Sequence, residues 1–175
     1  MWPTHDLPIL SNKSLILRKL QIEDTPRLVE LAQDPAMRNF TTIPSPFTVE
    51  NALEFISSSS VPTDSLVRWA IATADKPSIY LGTIELRAQS PICVDIGYSL
   101  HPHARGLGIM PKAVRLVSNY ALSVGFHRVE IKIRTSNVAS RRATERAGAT
   151  FEGIAHKAEL HRGSIYDLAI YSITS

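Results

Sequence analysis

Apolar residues recur along this chain with two periods, and the changes from one period to the other divide it into elements. Residues 14–20 (SLILRKL) alternate Leu15, Leu17 and Lys19 against Ile16, Arg18 and Leu20, which predicts a strand. Asp24 then offers a cap for a helix through Leu28, Leu31 and Ala32 that ends before Pro35. A short turn of helix is expected at 35–39. Pro44 and Pro46 make 41–47 an extended loop, and Thr48 caps a helix whose apolar face is Val49, Ala52, Leu53 and Ile56. Strands follow at 67–73 and 78–88, joined by a turn at 74–77, and a further strand runs from 92 to 100.

A helix opening at Pro111 carries Ala113, Val117, Tyr120 and Val124 on one face. Residues 128–134 (RVEIKIR) alternate as a strand, and Asn137 heads a helix through Ala139, Ala143 and Ala147 that Gly148 stops. Two last strands, 150–161 and 164–173, meet at the tight turn Arg162-Gly163. Strand, helices, three strands, helix, strand, helix, two strands is the order of an α+β sandwich. Its sheet is mixed and mainly antiparallel, with helices on both faces.

The 175 residues suit a single domain, 1–175, with one core. Hydrophobic content of 44% and charged content of 20% are those of a globular protein, and no run approaches the roughly 18 apolar residues of a membrane span. MWPTHDLPIL has neither a basic leader nor an apolar signal core, so a cytoplasmic location is expected. The one cysteine, Cys93, excludes an internal disulfide. A formal charge of +3 is modest, but arginines gather between 105 and 146, which suits a phosphate-rich ligand. Nucleic acid is not expected, because no aromatic and basic residues interleave as a stacking platform. No metal is expected either, since His101-x-His103 lacks a third ligand nearby.

The chemistry concentrates at 95–124. Met110 has no side-chain oxygen with which to cap the helix, and Lys112 brings positive charge to the positive end of its dipole. Both choices make sense if an external anion sits there. Gly106 and Gly108 leave backbone N–H groups free to turn toward a phosphate. A third glycine and a downstream acid are missing, which excludes the dinucleotide fingerprint. A P-loop is excluded by the lack of Gly-Lys-Ser/Thr.

Arg105, Gly106, Leu107, Gly108, Ile109 and Met110 match Arg/Gln-x-x-Gly-x-Gly/Ala, the acetyl-CoA pyrophosphate loop of the GNAT acetyltransferases, with Met110 departing from the small final residue. The resemblance covers nearly the whole chain. It is closest to the Rim-type ribosomal-protein N-terminal acetyltransferases, through Asp34-Pro35 to Pro44, Pro46 and Phe47; Ile96-Gly97-Tyr98-Ser99-Leu100; Asn137-x-x-Ser140 to Glu145-Arg146-Ala147-Gly148; and Glu152-Gly153 to Ala158-Glu159, Asp167 and Tyr171. What it implies is a GNAT fold with acetyl-CoA as co-substrate, held by Ser99, Leu100 and His101, the 105–110 loop and Asn137. A backbone N–H at or near Leu100 would meet the thioester carbonyl. Ser140 would assist the leaving thiol and Glu159 would take a proton from the substrate ammonium, with Glu85 and Arg38 on the substrate side. By position alone, Ser140 and Asn137 are ordinary helix-start residues and Glu159 a charged residue on a solvated strand face.

The expected reaction is acetyl transfer to a primary amine, the α-amine of a protein or peptide, by direct attack in a ternary complex. Two rivals stay open: a small-amine acceptor, such as a polyamine or an aminoacyl-nucleotide antibiotic, and an acyl-CoA-binding regulatory module without turnover. A homodimer is also left open.

Overall fold

The computed structural model describes residue 2 and residues 6–175. The reading of the first ten residues as leaderless falls partly on residues 1 and 3–5, which lie outside the described residues. Among the described residues no helix is long and apolar enough to cross a membrane.

Among the described residues eight strands form one sheet: β1 (Leu10–Ser11), β2 (Leu15–Arg18), β3 (Leu66–Thr73), β4 (Gly82–Ser90), β5 (Cys93–Leu100), β6 (Arg128–Arg134), β7 (Thr150–His161) and β8 (Ser164–Thr174). Their order is β1-β2-β3-β4-β5-β6-β8-β7, and every neighbouring pair is antiparallel except β5 with β6. Five α-helices complete the fold of the described residues: α1 (Thr25–Ala32), α2 (Pro35–Phe40), α3 (Val49–Ser59), α4 (Ile109–Ser123) and α5 (Val138–Arg146). The expected α+β sandwich, mainly antiparallel with helices on both faces, is what forms.

Strand alternation decides what each face meets. Leu15, Leu17, Trp69, Ile71, Ile84, Leu86, Val94, Ile96, Val129 and Ile131 point to one face and bury against Ala113, Val114, Val117 and Ala121 of α4. The opposite face packs Ala70 against Leu28, Leu31, Ala52 and Ile56 of α1 and α3 near the β2–β3 end, with Leu20 and Tyr80 from the loops beside them. Each fully buried leucine or isoleucine contributes about 1.5–3 kcal/mol, so the α4 face dominates stability. Further along, that second face is polar. Arg68, Glu85, Arg87 and Asp95 pair across β3, β4 and β5, and Arg128 pairs with Glu130 and Glu152.

The one parallel pair is short. Strands β5 and β6 match only at Cys93↔Arg128, Val94↔Val129 and Asp95↔Glu130. Beyond that point β5 runs on to Leu100 and β6 to Arg134 without pairing, so the sheet opens between them.

Several boundaries differ from the sequence reading, each for a local reason. The strand expected over 78–88 begins at Gly82, because the carbonyls of Pro77, Ser78 and Tyr80 accept hydrogen bonds from Arg18 and Arg27 instead of a neighbouring strand. The α4 helix opens at Ile109, not Pro111. Its N-cap is Gly108 at φ 69°, a left-handed conformation that glycine adopts without a Cβ penalty. Met110 is therefore inside the helix, and its side chain is buried in the core. Lys112 is the fourth helical residue and reaches Ser14 Oγ at 3.2 Å. The alternation expected along 151–161 is interrupted by irregularities at Phe151/Gly153 and Ala155/Glu159. Lys157 sits in the second, with φ 51°.

Asp24 does not cap α1. Its carboxylate takes two hydrogen bonds from Arg18, at 2.7 and 2.8 Å, and one from the Gln21 amide at 2.9 Å. Both side chains are buried, 8% and 1% exposed. Removing one partner of such a pair leaves an uncompensated buried charge, so Asp24→Asn is expected to cost about 3–5 kcal/mol in urea denaturation. A loss below about 1 kcal/mol would show that the pair is no more than a solvated surface contact.

Candidate active site

The opening between β5 and β6 determines which backbone groups are left over. In a strand, successive N–H and C=O groups point alternately to the two neighbours. His101 N–H donates to Leu81 O at 2.7 Å, on the β4 side. Leu100 and Tyr98, one and three residues earlier in the alternation, therefore direct their N–H groups to the other side, where β6 has diverged. The Leu100 carbonyl on that side accepts from Arg105 Nε at 3.0 Å.

The chain then turns through a 3-10 segment at Pro102–Ala104 into the two-glycine loop. Gly106 has φ 76° and Gly108 φ 69°, and a Cβ built on either would meet nothing within 4 Å, so no side chain plugs the turn. Among the described residues, the amides of Gly106, Leu107 and Gly108 make no hydrogen bond, and α4 has no side-chain cap. Ile109 and Met110 contribute only their backbone, because both side chains are buried, while Leu107 is 67% exposed. A line of donors thus runs from the free edge of β5 to the start of α4. A coenzyme that joins an amide-containing, thioester-tipped arm to a diphosphate suits that combination: strand-edge donors for the arm and a helix N-terminus for phosphate.

A family model described as "Acetyltransferase (GNAT) domain" matches residues 14–150, which include both strands and the loop. The chain belongs to the GNAT acetyltransferase family. Among similar proteins, the uncharacterized N-acetyltransferase p20 of Bacillus licheniformis is 25% identical over 171 residues, 94% of each chain. The probable N-acetyltransferase YjcK of Bacillus subtilis is 46% identical over 63 residues, and that match spans 35% of each chain. Solved structures share the fold. Microcin C7 self-immunity acetyltransferase MccE, in complex with acetyl-CoA and AMP, superposes with a TM-score of 0.82 at 22% identity, over 94% of each chain. RimL, the ribosomal L7/L12 alpha-N-protein acetyltransferase, in complex with coenzyme A, gives 0.81 at 22% identity, over 95% of this chain and 98% of that one.

In this GNAT chain the head of α5 closes one side of the opening. Asn137 Oδ1 accepts from Ser140 N–H at 3.2 Å, the ordinary cap its position predicts. Ser140 Oγ lies 2.7 Å from the Tyr98 hydroxyl, which also meets Thr144 Oγ1 at 2.9 Å. Burial pushes the Tyr98 phenol up, so it stays protonated and available as a donor at neutral pH. Tyr98 lies within the Ile96–Leu100 likeness, but the sequence alone does not show this contact. Its partners come from a helix some forty residues later, and only the odd pairing of a phenol with an inward strand position hinted at it.

Other site residues are placed less simply. The Arg105 guanidinium bonds Asp34, the N-cap of α2, and the Leu100 carbonyl, so it ties α2 to the loop instead of lying over the glycines. Ser99 is half-buried beside Gly82; a Cβ there would come within 2.2 Å of the Ser99 carbonyl, so only glycine allows the strands to meet. His101 is buried on the α1 side, stacked on His103 at 5.1 Å, with Nε2 3.3 Å from Glu30 but without hydrogen-bond geometry. Burial, and after it Arg27, hold its imidazole below the usual range, so it is neutral at pH 7. Burial also raises the Cys93 thiol, which gives it no nucleophile's character.

The two candidate carboxylates are both engaged by arginine. Glu159 on β7 takes two hydrogen bonds from Arg134, whose guanidinium lies 4.2 Å from the Tyr166 ring centroid and also bonds Asn39 O. Glu85 on β4 accepts from Arg68 Nε at 2.6 Å and lies 3.4 Å from Arg87. Its Oε1 would stand 2.9 Å from a Cβ at Gly97, so the missing side chain at Gly97 leaves that oxygen beside β5. Arg38 is exposed in the last turn of α2.

The Tyr98–Ser140 contact is testable by a double-mutant cycle on stability. Tyr98→Phe and Ser140→Ala share one hydrogen bond, so their combined cost should fall short of additivity by about 1 kcal/mol. Strict additivity in chemical denaturation would mean that the two hydroxyls do not interact.

Proposed function

We propose that this chain is an acetyl-CoA-dependent N-acetyltransferase whose acceptor is a primary amine, the N-terminal α-amine of a protein or peptide such as a ribosomal protein. The observation that carries the reading is the free edge of β5, with the Tyr98 and Leu100 N–H groups, running directly into the uncapped loop at 106–108. The fold shared with RimL supports the choice of an α-amine.

The neutral amine attacks the thioester carbonyl, the C–N bond forms, and the C–S bond breaks. Charge that develops on the carbonyl oxygen is met by the Leu100 N–H, an oriented donor that needs no reorganisation. The departing sulfur is met by the Ser140 hydroxyl, which Tyr98 orients through their 2.7 Å contact and which assists by hydrogen bonding. The loop amides and the N-terminus of α4 hold the diphosphate. On the acceptor side Glu159 takes the ammonium proton through water, since both its oxygens are already bonded to Arg134; Glu85 is the alternative acceptor. No acyl-enzyme is formed, in keeping with the raised thiol of Cys93.

An acceptor screen with acetyl-CoA, read by thiol release and product mass, tests the reaction; no release with any amine would end the reading. Glu159→Gln is expected to lower kcat/KM by about 100-fold, whereas Glu85→Gln should lower it by less than about threefold. The opposite outcome would transfer the role to Glu85.

A further inference from the structure

At the far end of β6 a cavity of about 290 Å³ lies between α2 and the β7–β8 hairpin. Arg38, Arg134, His161 and Arg162 line it together with Phe40 and Tyr166, and no carboxylate is among its lining residues. On this face arginine otherwise comes paired: Arg68, Arg87 and Arg128 outside the cavity, and Arg134 within it, each have a carboxylate within 3.4 Å. Arg38 and Arg162 differ. Among the described residues neither forms an ion pair, and Arg162 spends one N–H on the Ile43 carbonyl at 2.9 Å. With Glu159 balancing Arg134, the cavity keeps the charge of two guanidinium groups.

The frame around those charges is well supported. His161 is buried, 7% exposed, with Nε2 3.3 Å from the Arg38 carbonyl, so the hairpin and α2 are joined at the cavity wall. Arg162 at φ 49° and Gly163 at φ 80° form the tight turn that carries one of the two guanidinium groups without a carboxylate. Arg134, 6% exposed and stacked on Tyr166, forms the floor. The position also matters. Ser136 on the cavity wall immediately precedes Asn137 and lies one helical turn before Ser140, and Arg134 holds Glu159. The cavity therefore adjoins the acceptor side of the site.

We infer that this cavity is a subsite for an oxyanion of the acceptor, so that the amine acetylated here belongs to a molecule with a carboxylate or phosphate close to its nitrogen. This rests on the acetyl-transfer reading for its role, but the binding it requires stands apart from turnover. Two guanidinium groups without a carboxylate partner in a concave wall favour an oxyanion through charge-assisted, fork-like hydrogen bonds, and they repel an acceptor with lysines beside its amine. An acidic peptide N-terminus and a small phosphorylated amine share that chemistry.

C-terminally labelled peptides with free amines, Ala-Asp-Asp-Gly-Gly and Ala-Asn-Asn-Gly-Gly, distinguish the cases by anisotropy with coenzyme A at saturation. The acidic peptide should bind at least about tenfold tighter at low ionic strength, with the advantage shrinking as salt rises. Competition by O-phosphorylethanolamine but not ethanolamine, without preference for the acidic peptide, would assign the oxyanion to a phosphorylated small amine. Arg38→Gln/Arg162→Gln should erase the preference and Arg38→Lys/Arg162→Lys should keep part of it, with thermal midpoints confirming that both variants fold. Equal binding of charged and neutral ligands to the unaltered chain would overturn the inference. Thiol release is followed in parallel. An acidic preference without release would remove the transfer reading and leave the subsite standing, while release with neither an acidic preference nor competition by O-phosphorylethanolamine would do the reverse.

Discussion

Backbone amides must find partners, and this fold is arranged around two strands that stop partnering each other. Between β5 and β6 the ladder lasts three residue pairs and then ends, although both strands continue. A backbone donor shut away without a partner costs about 1–3 kcal/mol, so leftover donors survive only where solvent or a ligand reaches them. Tyr98 and Leu100 are half-buried at such an edge, and the loop that follows adds uncapped amides from Gly106 to Gly108. The burial on the other side of the same strands makes this tolerable. Val94, Ile96, Val129 and Ile131 are packed against α4, so the sheet stays intact while its edges separate.

The two faces divide the work. The α4 face is apolar and supplies most of the stability, whereas the opposite face carries a lattice of arginine–carboxylate pairs from Arg68 to Glu152. In half-buried pairs of this kind the cost of desolvating the charges offsets much of their attraction, so the lattice matters more for fixing side-chain positions than for holding the fold. It keeps Glu85 beside the glycine gap at Gly97, and the Arg134 pair keeps Glu159 at the end of β6. The arginines at 38 and 162 break the pattern, which leaves the cavity between α2 and the β7–β8 hairpin electropositive in a face otherwise near balance.

Much of this was legible because periodicity reports burial directly. The alternation in RVEIKIR and the helical spacing of Ala113, Val117 and Tyr120 both survive in the fold, and the two-glycine loop stands where its spacing placed it. What sequence could not show were choices made by distant partners. Asp24 looks like a cap until Arg18 is seen to claim it. Arg105 looks like a phosphate contact until Asp34, 71 residues earlier, takes its guanidinium. A glycine in the left-handed conformation is not among the usual signals of a helix start, so α4 was read two residues late. The bulge at 155–159 likewise follows from Asp167, which accepts from the Lys157 amide at 2.7 Å across the hairpin.

Amide hydrogen exchange with and without saturating coenzyme A measures the leftover donors themselves. If the free edge of β5 and the loop form one cradle, Tyr98, Leu100, Gly106, Leu107 and Gly108 should become protected together on adding the coenzyme, while the amides of β2 and β3 stay unchanged. Coenzyme that binds without slowing exchange at those residues, or that does not bind at all to the folded chain, would contradict the account.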